Sequence, residues 1–397
     1  MKVEMLSTGD EVLHGEIVDT NAAWLAAAFY QAGYALTFRT TCGDALPTLV
    51  ETLQQRSKVA DILIVNGGLG PTSDDYTAQA AAQAAGVALV RNEQWLTQLQ
   101  AFFTRRGTPM AAINLKQADI PETAEMLPNG NGTACGFRLE LNGCQVFFTP
   151  GPPSEFTLMI TEQVLPRLYG LFPKTEKLLC FRLTTFGRGE SFIADLLADI
   201  RLPEGISLGY RAAVPIVEIK LSGHLTQRTA MEACWQSIRQ LVGDYLIFEG
   251  KSDFASEIAL LLNQQGYRLQ INEGYSAGLL CWTLARAQAP LCEARLIGLQ
   301  HTPAPAKRSL EELSADTLSV TVSPLVDNRY LEFALTTAKQ HYFFKVEVNE
   351  PLMASRQRLQ EIVSMQAMYL LHRGLTGQAV QIIYQSFSLV ESSVSAR

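Results

Sequence analysis

A run of glycines ending in two acids, Asn66-Gly-Gly-Leu-Gly-Pro-Thr-Ser-Asp-Asp75, joins a short apolar segment to an alanine-rich one. Glycine lets a backbone approach a ligand closely and turn its N–H groups outward. A helix starting directly after such a loop adds positive potential, which favours a phosphate. No Gly-Lys-Ser/Thr follows, so this is not a Walker A loop, and the glycine spacing is not that of the dinucleotide fingerprint. The same residues also suit a plain strand-to-helix turn with Asp74 as a cap. Asp74 and Asp75 sharpen the choice. A carboxylate about 4 Å from a phosphate costs roughly 4 kcal/mol per charge pair at an effective dielectric near 20. Either a divalent cation bridges the two, since hard cations take oxygen ligands, or the carboxylates turn away as caps. Such an ion would also polarise a phosphoryl group and acidify bound water.

A second loop, Thr8-Gly-Asp-Glu-Val-Leu-His-Gly15, follows the first apolar run and brings Asp10 and Glu11. Glu11 is a candidate metal ligand, Asp10 reads as turn chemistry, and His14 lacks a second histidine at ligand spacing. Two further polar loops, Asn129-Gly-Asn-Gly-Thr133 and Pro150-Gly-Pro-Pro-Ser-Glu155, flank a hairpin signal.

These loops need a scaffold, and the apolar periodicity supplies one. Strands are expected over 3–7, 34–41 and 61–66, and helices over 22–31, 46–59 and 74–85. Strand and helix in alternation predict a three-layer, mostly parallel α/β sheet, with ligands outside the carboxyl ends of its strands. Asn142-Gly143 between 137–141 and 144–148 predicts a type I′ hairpin, and a helix is expected over 153–168. A smaller α+β unit reads from about 175 to 248. A last α/β unit opens with a helix over 254–265 and ends with one over 351–373, closed by Gly374.

Length and composition bound the rest. A chain of 397 residues is long for one core, which implies domains, placed here at 1–172, 173–250 and 251–397. With 47% hydrophobic residues and 18% charged, it is a globular composition. A net charge of -7 gives no general attraction to a nucleic-acid backbone, so the expected partner is a small phosphorylated, nucleotide-like ligand. Seven scattered cysteines without a Cys-x-x-Cys pair read as buried free thiols in a reducing compartment. No basic-flanked apolar leader and no membrane-length run is present, so a cytoplasmic protein without membrane contact is expected.

Taken in order, the motifs resemble those of the CinA family, whose N-terminal domain is similar to molybdopterin-binding proteins. The matching pieces are Gly9-Asp-Glu with Gly15, Asp19-Thr-Asn21, residues 67–75, Asn114-Leu-Lys-Gln-Ala118, Leu127-Pro-Asn-Gly-Asn-Gly-Thr-Ala134 and residues 150–155. The resemblance implies metal-dependent hydrolysis of ADP-ribose in the front domain, and a homodimer. It implies that Gly67, Gly68, Gly70 and Thr72 hold phosphate and that Asp75 leads as metal ligand or catalytic carboxylate. Asn21, Asn114, Thr133, Gly151 and Ser154 join the ligand site on the same ground. Lys116 reads either as a cation facing developing phosphate charge or as a solvated helix lysine. The unit over 173–250 looks like the family's KH-like linker, through Thr185-Phe-Gly-Arg-Gly-Glu-Ser191; its Gly-x-Gly spacing lacks a basic cluster, and it reads as structural.

The rear unit departs from the pattern. The family's C-terminal domains deamidate nicotinamide mononucleotide with a serine in Ala-Glu-Ser-x-Thr-Gly/Ala-Gly. Here the stretch is Ile271-Asn-Glu-Gly-Tyr-Ser-Ala-Gly278, which keeps Glu273 but puts Gly274 at the nucleophile position. Glycine forms no covalent intermediate. Ser276 stands two residues on, and a misplacement of about 1 Å already costs roughly 100-fold in rate. After the strand expected over 318–322 comes Ser323-Pro-Leu-Val-Asp-Asn-Arg329, without the family's glycines. The tyrosine- and lysine-bearing segment is unmatched at 301–308, where Lys307 and Arg308 read as a solvated loop. The expectation is a retained fold without the amidase chemistry, and for the whole chain a front-domain pyrophosphatase, with a non-catalytic nucleotide-binding or regulatory protein as the alternative.

Overall fold

The computed structural model describes residues 1–173, 177–250, 253–298, 313–349 and 355–396. The segment 301–308 and the start expected for the last helix lie outside them. The chain divides into two compact units, Met1–Leu178 and Leu179–Arg397.

The front unit is built on strands β1 (Val3–Thr8), β2 (Phe38–Cys42), β3 (Ile62–Asn66), β4 (Leu89–Arg91), β5 (Asp119–Pro121), β6 (Glu125–Leu127), β7 (Gly136–Leu141) and β8 (Cys144–Thr149). Six of them form one sheet in the order β2-β1-β3-β8-β7-β6, and β4 pairs with β5 apart from it. The β1–β2, β1–β3 and β3–β8 pairs are parallel, so their carboxyl ends open on one edge. Alternation within the strands explains the three layers. Val3, Met5, Ile62, Ile64 and Phe147 pack on one face with Leu25, Phe29 and Phe156. Leu6, Leu63, Val65, Val146 and Phe148 pack on the other with Leu49, Leu53, Ala80 and Ala81. Strands covered on both faces carry nearly unbroken apolar runs, as these do.

Several expected boundaries shift for physical reasons. The second strand begins only at Phe38, because Tyr34 is fully buried against Phe29 and the helix Thr20–Ala32 rather than paired in the sheet. The helix after the glycine loop is Thr77–Ala85, not 74–85, and Tyr76 at its N-cap makes no side-chain cap. Asp74 therefore does not cap it. The helix from Pro153 runs to Leu171 with a π-helical turn, Ile160–Val164, just ahead of Pro166. Proline has no N–H and crowds the preceding turn, and a wider turn accommodates it. The Asn142–Gly143 hairpin has φ of 53° and 83°, as a type I′ turn needs.

The rear unit carries two sheets. The strands are β9 (Leu178–Phe186), β10 (Ser207–Ala213), β11 (Ile216–His224), β12 (Leu246–Glu249), β13 (Arg268–Glu273), β14 (Leu291–Leu296), β15 (Thr317–Val322), β16 (Tyr330–Thr336), β17 (Gln340–Val348) and β18 (Phe387–Ala396). One sheet orders β10-β11-β9-β12 and packs on the helix Arg228–Val242 through Met231, Trp235 and Ile238. The other orders β14-β13-β15-β16-β17-β18, parallel among its first three strands and antiparallel beyond. The long helix Arg356–Thr376 covers it and ends at Gly377 in the left-handed conformation, three residues beyond the expected stop at Gly374. Gly374 sits inside the helix, where a Cβ would stand 2.8 Å from Leu335; close approach of helix and sheet, not capping, explains that glycine. In the Gly187–Gly189 loop, the Gly187 carbonyl accepts from the Gln385 amide at 3.0 Å. All seven cysteines are free thiols, but only Cys42, Cys135 and Cys144 are buried as expected and Cys292 is exposed; no helix among the described residues is long and apolar enough to cross a membrane.

Candidate active site

The loops after β1, β2, β3 and β8 meet at the carboxyl edge of the front sheet and enclose a cleft of about 610 Å³. That lies within the range of small-molecule sites, about 300–1,000 Å³. Two buried asparagines fix its floor. Asn21 Nδ2 donates to Asn66 Oδ1 at 2.9 Å and to the Gly151 carbonyl at 2.7 Å. Asn66 Nδ2 donates in turn to the Pro150 carbonyl at 2.6 Å. Three loops distant in sequence are thereby tied at one point. Asn21 is not a helix cap; Asp19 is, accepting from the Ala22 amide at 2.8 Å while Ser7 Oγ donates to its other oxygen at 2.6 Å.

Glycine is required in the loop that follows β3. Gly67 has φ of 113°, and a Cβ there would stand 2.6 Å from both the Thr8 carbonyl and its hydroxyl oxygen. At Gly68, with φ of 65°, a Cβ would meet Thr77 Oγ1 at 2.1 Å; at Gly70 it would meet Asp75 Oδ2 at 2.5 Å. Among the described residues, the amides of Gly68, Leu69, Gly70 and Gly151 donate to no group of the chain. Free amides presented from two loops are an anion-binding arrangement.

Acidic groups gather at the other side of the cleft. Asp44 and Asp10 exchange amide-to-carboxylate bonds at 3.0 and 3.3 Å. Glu11, Asp44, Asp74 and Asp75 all line the cleft. The Asp44 carboxyl is pushed above its ordinary range, by burial first and by the charges of Asp10, Glu11 and Asp74, against an opposing bond from the Asp10 amide. Asp74 is held below its ordinary range by Thr72, by its own amide and by the charge of Lys116. Sequence reasoning passed over Asp44. The Asp44 signal was available only as an acid two residues after β2, at the same sheet edge as the other two loops. Since the folded state holds the Asp44 proton more tightly than the unfolded chain, its stabilising share is present at low pH and is lost as pH rises through the raised value. Asp44→Asn is therefore expected to raise the melting temperature at neutral pH in the presence of EDTA, with no gain below the ordinary aspartate range. A scan showing equal melting temperatures at neutral pH would refute the crowding.

The remaining candidates are placed as follows. Asp75 Oδ2 accepts from the Thr72 amide at 2.8 Å and from its hydroxyl, so this carboxylate braces the turn as well as lining the cleft. Lys116, on the 3₁₀ stretch Ala112–Ala118, donates to the Thr72 carbonyl at 2.6 Å and lies over the Tyr76 ring. It is tied to the glycine loop rather than solvated on an α-helix. Thr133 lines the cleft beside Gln117, whose Nε2 donates to Thr133 Oγ1 at 3.0 Å. Asn114 stands behind them and donates to Gln117 Oε1 at 3.1 Å. Thr72, Lys116, Asn114 and Ser154 are not among the lining residues, whereas Gly151 and Glu155 are. Glu155 accepts from Asn129 Nδ2 at 2.7 Å.

In the rear unit, Glu273 is buried and its carboxylate accepts from Ser276 Oγ at 2.7 Å and from the amides of Leu280 and Cys281 at 3.2 and 3.0 Å. Those two amides belong to the first turn of the helix Leu279–Arg286, whose N-cap residue is Gly278. Ser276 is 1% exposed and committed to that bond. At Gly274 a Cβ would stand 2.3 Å from the Pro324 nitrogen and 2.6 Å from its Cδ, so the chain after β15 fills the space of any side chain there.

Residues 4–170 match the family model described as "Probable molybdopterin binding domain". The chain is 44% identical over 396 residues to a "CinA-like protein" of Escherichia coli O9:H4 (strain HS), covering 99% of this chain and 98% of that one. It belongs to the CinA family. The same identity and coverage hold for the "NMN amidohydrolase-like protein YfaY" of E. coli K12. A solved CinA structure "with unknown function" from Thermoplasma acidophilum is 28% identical, covering 41% of this chain and 97% of that chain with a TM-score of 0.39. For this CinA family member the front unit is thus a molybdopterin-binding-like α/β domain that carries the glycine loop on a mostly parallel sheet.

Proposed function

We propose that the front unit hydrolyses the diphosphate of a nucleotide-type substrate of the ADP-ribose class with the help of a divalent cation, and that the rear unit does not deamidate nicotinamide mononucleotide. The observation that carries the first part is the pairing of unengaged amides at Gly68, Leu69, Gly70 and Gly151 with a crowded set of carboxylates in one cleft. Amides attract the phosphate oxygens, and the crowded acids attract a cation that offsets their repulsion.

The donor set fits such an ion in one specific way. Among the described residues no three His, Cys, Asp or Glu side chains converge as a ready ligand shell. An ion of the magnesium kind does not need one, because it takes one or two carboxylates and completes its shell with water and phosphate. Asp75 and Glu11 would hold it, with Asp44 beside them. Bound there, it supplies charge neutralisation and polarisation of the phosphoryl group. The chain's own contributions are positional. The glycine-loop amides orient the diphosphate, and the Asn21–Asn66 pair keeps the loops in register. Asp75 and Lys116 hold the turn at Thr72 from two sides.

Incubation with ADP-ribose and Mg²⁺ or Mn²⁺ is expected to release AMP. Asp75→Asn is expected to cut that rate about 100-fold or more, the scale of losing one transition-state electrostatic contact, while an amide oxygen still accepts from Thr72 and leaves the unfolding midpoint nearly unchanged. AMP release by the variant at the parental rate would remove Asp75 from the mechanism. No AMP and no metal-dependent ligand binding by the parent would end the reading.

A further inference from the structure

The cleft is not uniformly polar. Val12, Ile17 and Val18 line one wall, on the loop that follows β1. Ile17 is 52% exposed and Val18 84%. Nothing about this exposure reflects a frayed segment. The Glu16 and Ile17 amides both donate to the Glu11 carbonyl, at 2.9 and 3.2 Å, and the Thr20 amide donates to the Val18 carbonyl at 2.8 Å. Asp19, the next residue, is locked between Ser7 and the Ala22 amide. Two β-branched side chains are thus held outward by a loop braced through its Glu16, Ile17 and Thr20 amides, on a cleft that elsewhere presents the glycine-loop amides, the carboxylates and several prolines.

A diphosphate and a cation have no use for such a wall. A ligand that also carries a flat, weakly polar ring does, because covering aliphatic carbon removes it from water. Ligand sites commonly combine an apolar flank with a few polar groups that set orientation. Resting on the phosphate reading of the same cleft, we infer that Ile17 and Val18 form the platform for the substrate's nucleobase and make this site select nucleotides over base-free sugar phosphates. Neither residue contributes to the buried core, so both can be changed without unfolding the unit.

The test compares AMP with ribose 5-phosphate, which differ by the base, titrated calorimetrically into the full chain with Mg²⁺ present. The parent is expected to bind AMP at least about 10-fold more tightly, the scale of partly burying two aliphatic side chains. Ile17→Ser combined with Val18→Ser should bring the two affinities within about 3-fold and leave that for ribose 5-phosphate unchanged. Ile17→Val with Val18→Ile should keep the preference, since shape and polarity are retained. Equal binding of both compounds by the parent, or an undiminished preference in the serine double variant, overturns the platform while ADP-ribose turnover still stands for the phosphate site. A change of oligomeric state in the double variant with the preference intact would assign the patch to a protein contact instead. Failure of AMP, ribose 5-phosphate and ADP-ribose alike to bind would remove the phosphate reading and this one together.

Discussion

Gly274→Ser is expected to produce no ammonia from nicotinamide mononucleotide and to cost the rear unit about 3 kcal/mol or more, the upper range for overpacking against fixed structure. The new Cβ would lie 2.3 Å from the Pro324 nitrogen and 2.7 Å from the Ser323 carbonyl carbon. Both are backbone atoms, tied down because the Gly274 and Tyr275 amides donate to the Val322 and Ser323 carbonyls at 2.9 and 3.1 Å. A side chain cannot swing aside from them, so the main chain must move. Glu273 and Ser276 would move with it, since they share the turn and Glu273 accepts from the first-turn amides of the following helix. Gly274→Ala separates sterics from chemistry: it should lose nearly the same stability in urea denaturation although it adds no hydroxyl. Ammonia release by the serine variant, or an unfolding midpoint equal to the parent's, would show that the pocket survives and only the nucleophile is missing.

The second large effect is expected at Gly67→Ala, which should destabilise the front unit by roughly 2–4 kcal/mol and abolish measurable ADP-ribose binding. Two causes add. A φ of 113° is poorly available to an L side chain, and the Cβ would stand 2.6 Å from the Thr8 carbonyl oxygen. The Gly67 amide donates to the Thr149 carbonyl at 3.0 Å, so pushing Gly67 away from Thr8 also disturbs the junction with β8. The cleft would widen where its free amides lie. Gly15→Ala is the comparison, because its φ of 75° is an ordinary left-handed value and no atom lies within 4 Å of the added carbon. It should cost only about 1 kcal/mol. Comparing the two unfolding midpoints gives the joint cost of the unusual φ and the close contact at 67; equal losses would mean that neither adds to the cost of an ordinary left-handed glycine.

Much of this architecture was readable from local pattern. The buried run Ile62–Asn66, the Asn142–Gly143 turn and the helices closed by Gly33, Gly86 and Gly266 depend on neighbours in sequence, and the structure has them there. Errors fell where distant contacts override local preference. Tyr34 was drawn into the core rather than paired in a strand, and Gly374 was read as a stop although its role is close packing on Leu335. The glycine-loop helix started late because residues 71–76 form a turn braced by Asp75 and Lys116 instead of an extra helical turn.

By itself the sequence determined which groups are available: glycine-rich loops with acids in the front unit, and Glu273, Gly274 and Ser276 within four residues of the rear unit. Residue identity is enough for that, because glycine brings no side chain in any fold. Only the tertiary structure decided which groups share a space. It brought Asp44 to the acids of two other loops, joined Asn21 to Asn66 and Gly151, set Ile17 and Val18 on the cleft wall, and laid Pro324 where a side chain at 274 would go. Such meetings depend on strand order and register, which are set by burial summed over the whole sheet and leave no trace in the spacing of any one loop.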